Sequence, residues 1–93
     1  MSVSAGRYEI AWARPARRAL ERLPEKVAAA AIEFVYGSLA DHPRRVGHAL
    51  RFELAGLHSA ARGDHRIIYR IEEERQEVII EVIEHRADVY RPR

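Results

Sequence analysis

At 93 residues and a formal net charge of +2, the chain has room for one domain, spanning residues 1–93, with a small core. The absence of cysteine excludes a disulfide framework and a thiolate metal site, and it fits a reducing cytosol. No apolar run approaches the roughly 18 residues that span a bilayer, and the N-terminus has no signal-peptide pattern, so a soluble, cytoplasmic protein with no membrane partner is expected.

Lys26 is the only lysine among 16 basic side chains, so the positive charge is almost entirely arginine. Arginine is favoured where a planar fork must grip phosphate or carboxylate, although a GC-rich genome biases codons the same way. A pI near 9.4 points to a polyanion or an acidic partner without choosing between them.

Along the chain, Tyr8 to Ala13 alternates large apolar with smaller residues and reads as a strand. Pro15 suits a first helical turn. Ala16, Leu20 and Leu23 then share one face, with Arg17, Arg18, Glu21 and Arg22 on the other. Pro24 ends this helix and begins a second, predicted over about Glu25 to Ala40, with Val27, Ala31, Phe34, Val35 and Leu39 as its apolar stripe. Gly37 is a soft spot near its end, and Asp41-His42-Pro43 closes it.

The remainder reads as β. A strand is expected over Leu50 to Leu54 and another over Leu57 to Ala61, separated by an Ala55-Gly56 turn. Arg62-Gly63-Asp64 forms a tight hairpin connection to a strand over Arg66 to Ile71. There Ile67, Tyr69 and Ile71 take one face, and Arg66, Ile68 and Arg70 the other. Glu72 to Gln76 is a charged turn, and Glu77 to Ile83 is a β-branched last strand placed centrally. The expectation is an α+β domain: an N-terminal strand, an antiparallel two-helix hairpin, then a four-stranded antiparallel meander, with the helices on one sheet face.

Chemistry concentrates after that last strand, where Glu84-His85-Arg86-Ala87-Asp88-Val89-Tyr90 gathers phosphate-binding and proton-carrying groups. That is a kit for handling a phosphodiester, whose metal-free cleavage needs a proton acceptor, cations for the crowded phosphorane and a proton donor for the leaving oxygen. Arg66 and Arg86 suit the second task, and Tyr90 or His85 can move a proton. Tyrosine ionises near pH 10 unless neighbouring arginines lower it. Each residue also has a plain structural reading: solvated strand charge for Arg66, surface charge for Arg86, packing aromatic for Tyr90. Strand alternation sends His85 to the face opposite Arg86. His42, His48, His58 and His65 lack metal-ligand spacing, so neither a metal nor a cofactor is expected; Asp64 and Glu84 read as turn and strand-end charges. Arg44, Arg45, Arg51 and Arg62 look like a phosphate-positioning belt, or else ordinary surface charge.

The element order and four segments resemble the RelE/ParE superfamily of bacterial toxins, in its RelE-like mRNA interferase branch. The segments are Ala16 to Pro24, Arg45-Val46-Gly47 with Leu50 and Leu54-Ala55-Gly56, Gly63 to Ile71, and His85 to Tyr90. The resemblance implies a microbial ribonuclease-type fold and the toxin half of a type II toxin–antitoxin pair. It implies ribosome-dependent, metal-independent cleavage of mRNA in the A site. It also implies a RelB-like antitoxin with an acidic helix and an extended segment, and DNA contact only through the antitoxin complex. By the same resemblance Arg66 binds the scissile phosphate, Arg86 meets transition-state or leaving-group charge, and Tyr90 activates the 2′-hydroxyl or stacks on a base.

One departure stands out. Ser59-Ala60-Ala61-Arg62-Gly63 has Ala61 where the resemblance implies a second RNA-clamping arginine, consistent with a naturally weaker or an inactivated member. The rivals are a ParE-like toxin acting on DNA gyrase and a catalytically inert antitoxin-binding or co-repressor module. The Arg66, Arg86 and Tyr90 set favours the nuclease.

Overall fold

The structure, a computed structural model, describes residues 7–85. A strand β1 (Glu9–Trp12) leads into helix α1 (Arg14–Arg22) and helix α2 (Glu25–Phe34). Pro15 sits in the first turn of α1, where its missing N–H costs nothing, and Pro24 is the N-cap of α2. A short helix α3 (Pro43–Val46) follows, then strands β2 (His48–Ala49), β3 (His58–Arg62), β4 (His65–Glu72) and β5 (Glu77–His85). Together they make a five-stranded sheet in the order β1-β5-β4-β3-β2. The expected antiparallel meander is present over β2 to β5, and β1 adds to β5 in parallel. β5 is thus interior, as its β-branched sequence suggested.

Three segments differ from expectation. Past Phe34 the second helix continues as a π-helical turn over Val35–Leu39 that includes Gly37 and keeps both Val35 and Leu39 buried. Pro43 does more than stop the chain, since it opens α3. The strand expected over Leu50 to Leu54 is instead the two-residue β2 followed by a 3-10 turn at Phe52–Leu54. Phe52 takes φ +60, outside the β region, so the ladder cannot continue through it. With Phe52 89% and Leu54 52% exposed, no burial compels pairing there either.

Alternation along the sheet divides its two faces. Ala60, Ile67, Tyr69, Val78, Ile80 and Ile83 form the core with Ala16, Val35 and Leu39 of the helical layer. Opposite Ile68 and Tyr69 stand Val82 and Ile80, so Glu81 is an extra residue, a bulge that keeps Ile80 and Ile83 both on the core face. Among the described residues no helix is long and apolar enough to cross a membrane.

Tyr69 ties α3 to the sheet. Fully buried, it donates its hydroxyl proton to the Pro43 carbonyl at 2.5 Å and stacks on His58 at 5.5 Å between ring centroids. Gly47 completes the contact: a Cβ there would lie 2.5 Å from both the Ser59 carbonyl oxygen and the Tyr69 hydroxyl. Only a residue without a side chain allows this approach.

Gly47→Ala is therefore expected to destabilise the fold by about 1–3 kcal/mol, the usual cost of overpacking, and a urea midpoint equal to wild type would contradict it. Burial pushes the Tyr69 hydroxyl up to about 12. In the unfolded chain a tyrosine ionises near pH 10, so the unfolded state loses its proton first and stability falls as pH rises from about 10 towards 12. Tyr69→Phe should flatten that part of the stability–pH curve, measured by chemical denaturation at stepped pH.

Candidate nucleic-acid interface

The sheet face away from the helical layer carries Ser59 and Ala61 from β3, Arg66, Ile68 and Arg70 from β4, and Ile79, Val82 and Glu84 from β5. Arg66 lies between Ala61 and Glu84, its direct cross-strand partners. Its Nε donates to Ser59 Oγ at 3.1 Å, and Ser59 is only 2% exposed. Along the same strand Arg70 reaches Glu81 at 3.2 Å and Glu72 at 3.8 Å, which offsets its charge. Arg66 meets a neutral hydroxyl and, among the described residues, no carboxylate within ion-pair distance. Among the described residues the open face thus holds one arginine whose charge is countered and one that stays available to an anion.

The belt drawn from sequence does not assemble around Arg66. Arg62 pairs with His65, one residue out of phase with Arg66, and belongs to the helix face, where its guanidinium lies 5.7 Å from the Phe34 ring centroid. His85 pairs with His65 on that same face, ring edge to ring at 5.0 Å, so it cannot carry a proton at Arg66. Arg44 is held by Glu73 through Nε at 2.8 Å and through a second guanidinium nitrogen. Tyr8 donates to the other Glu73 oxygen at 3.0 Å. The Arg44 hydrogen bond, then that from Tyr8, hold the Glu73 carboxyl below the usual range. Glu73 follows the last residue of β4, roughly 20 Å along the strand from Arg66 at ~3.3 Å per residue.

Arg45 is exposed beside a hollow of about 310 Å³ shared with Tyr8, Asp41 and His42. Arg51, also exposed, follows Ala49, which pairs with the first residue of β3, and so lies beyond the strand end remote from Arg62. Arg44, Arg45 and Arg51 therefore cluster away from the Arg66 end. Ala61 lies directly across from Arg66. Arg86 and Tyr90 lie outside the described residues.

Two residues of this site escaped the sequence reading: Ser59 and, as a neighbour of Arg66, Glu84. The signal was the two-residue Gly63–Asp64 connection, which with period-two alternation fixes both pairings. Burial, followed by the nearby Arg44 and His48 charges, pushes the His58 imidazole down, and its Nδ1 is buried without a hydrogen-bond partner. Among the described residues no group of three or more His, Asp or Glu side chains is placed to hold a metal.

Comparison with known proteins places the chain among toxins of toxin–antitoxin systems. A family model described as the ParE toxin of the type II toxin–antitoxin system, parDE, matches residues 10–90. Toxin RelG of Mycobacterium tuberculosis is 48% identical over 84 residues, covering 90% of this chain and 97% of its own. Toxin RelE of the same organism is 49% identical over 84 residues, covering 90% of this chain and 87% of its own. Among solved structures, the toxin–antitoxin complex RelBE2 of M. tuberculosis contains a chain that superposes with a TM-score of 0.83 at 45% identity. The match covers 86% of this chain and 99% of that one.

If the open face meets a phosphate backbone, Arg66→Ala should weaken binding of a 2′-O-methylated single-stranded RNA and reduce the salt slope of log K by about 1. Arg62→Ala and Arg44→Ala should instead leave the slope little changed. An unchanged slope for Arg66→Ala, with a reduced one for Arg62→Ala, would reverse the face assignment.

Proposed function

The chain belongs to the RelE/ParE superfamily of type II toxin–antitoxin toxins and is a RelE-type toxin, and from that premise we propose that it cleaves messenger RNA in the ribosomal A site. The observation that carries the reading is Arg66, a guanidinium on the open sheet face with no carboxylate to counter it among the described residues. In the reaction, the RNA 2′-hydroxyl gives its proton to a base and its oxygen bonds to the adjacent phosphorus. The P–O5′ bond then breaks, and the 5′-oxygen takes up a proton. Arg66 stabilises the extra negative charge of the phosphorane, an effect that is strong where the donor is already fixed in place. Arg86 and Tyr90 take the second-cation and proton-transfer roles implied by the resemblance; His85, on the other face, takes neither.

An antitoxin partner of the RelB kind belongs to the same proposal, since the similar RelBE2 chain was solved in a toxin–antitoxin complex. A groove of about 350 Å³ between α2 and the β3–β4 hairpin suits an apolar segment of such a partner. Leu23, Val27, Ala30 and Ile83 line it, and Lys26 and Arg62 stand at its rim. Acidic residues on the partner would complement that rim.

The test is cell-free translation with the purified protein, followed by mapping of mRNA 5′ ends. Cuts within A-site codons are expected, and Arg66→Ala should slow them by about 10²- to 10³-fold. Ala61→Arg should speed cleavage by placing a second cation across from Arg66. Intact mRNA together with trapped gyrase–DNA complexes would overturn the reading in favour of the gyrase-directed branch.

A further inference from the structure

We infer that Ser59 is a positioning residue for Arg66, one that aims the guanidinium along β3 and away from Glu84. The inference deepens the ribonuclease reading and rests on it. Arg66 stands between two strands: Ala61 of β3 on one side, Glu84 of β5 on the other, all three on the open face. A carboxylate directly across a strand pair is within easy reach of an arginine, and a charge-assisted pair between them is the default outcome. Arg66 does not take it. Its Nε is bound to Ser59 Oγ at 3.1 Å, one diagonal step along β3, beside Ile68, the direct partner of Ser59.

Ser59 is suited to hold that contact. It is buried, at 2% exposure, and its strand is closely packed, since a Cβ at Gly47 would lie 2.5 Å from the Ser59 carbonyl oxygen. The hydroxyl therefore has little freedom to follow a moving guanidinium. Ala61 has no polar side-chain atom, so it offers Arg66 no acceptor that competes with Ser59.

The choice of nitrogen sets the binding mode. With Nε committed, the guanidinium offers the edge formed by its two terminal nitrogens, four N–H donors that fit two phosphate oxygens end-on. If the arginine turned to Glu84, a carboxylate would occupy those donors, and the positive charge of the open face would be offset much as that of Arg70 is by Glu72 and Glu81. Ser59 thus decides whether the charge of Arg66 serves substrate or a neighbouring strand.

Three variants test this on programmed ribosomes. Ser59→Ala should lower the cleavage rate at saturating ribosomes by about 10-fold, the scale of a small misplacement, with half-saturation little changed. Adding Glu84→Gln to Ser59→Ala removes the competing carboxylate and should restore most of that loss; Glu84→Gln alone is the control that measures the effect of the charge change by itself. A folding defect would not be repaired in this way. A Ser59→Ala variant as fast as wild type, or one that Glu84→Gln does not rescue, overturns the inference. The Arg66 Nε–H resonance supplies a readout independent of cleavage. It should exchange slowly with water in the wild type and quickly in Ser59→Ala; equal exchange in both overturns the aiming of Arg66. Absence of cleavage by the wild type overturns the ribonuclease reading, and with it any role of Ser59 in catalysis, whatever the resonance shows.

Discussion

The two-residue connection at Gly63–Asp64 sets the register of β3 against β4, and most of the molecule's chemistry is decided there. Gly63 takes φ +62, which suits a glycine at the first central position of a tight hairpin turn. With only two residues in the loop, Arg62 must face His65 and Ala61 must face Arg66. One phase of the alternation sends Ala60, Ile67 and Tyr69 into the core. The other sends Ser59, Ala61 and Arg66 to the open face. A slip of one residue would exchange the two sets, exposing the core and burying the arginine.

The same register separates two populations of cations. Arg62 and Lys26 belong with the helical layer and the groove beside it, a surface suited to a protein partner. Arg66 belongs to the opposite face, the one proposed to meet RNA. Arg44 serves neither: its pairing with Glu73 and Tyr8 joins α3 to the β4–β5 turn at the far end of the sheet. Both members of that ion pair are substantially exposed, so its value is geometric more than energetic.

Much of the fold was legible in the residues. Pro15 and Pro24 marked the helix starts, Ile67, Tyr69 and Ile71 marked a core-facing strand, and the β-branched run from Glu77 marked an interior one. Phe52 defeated the reading of the following segment, because a left-handed aromatic in an exposed turn leaves no trace in hydrophobic periodicity. The site was half legible. Arg66 and the vacancy at Ala61 stand on one face, as alternation requires. Arg44, Arg45, Arg51 and Arg62 share a residue type, and residue type carries no information about sheet faces or strand ends. Ser59 gave no signal of its own, since a small polar residue in a strand acquires meaning only from the side chain lying diagonally across from it.

Adjacent residues on opposite faces allow a direct measurement of the central claim that RNA meets the Ser59–Ala61–Arg66 face. A photo-crosslinking phenylalanine analogue placed at position 61, and separately at position 62, would be irradiated with the toxin bound to a programmed ribosome carrying non-cleavable mRNA. The account predicts crosslinks to mRNA from position 61 and few or none from position 62. Strong mRNA crosslinks from position 62 and none from position 61 would contradict it.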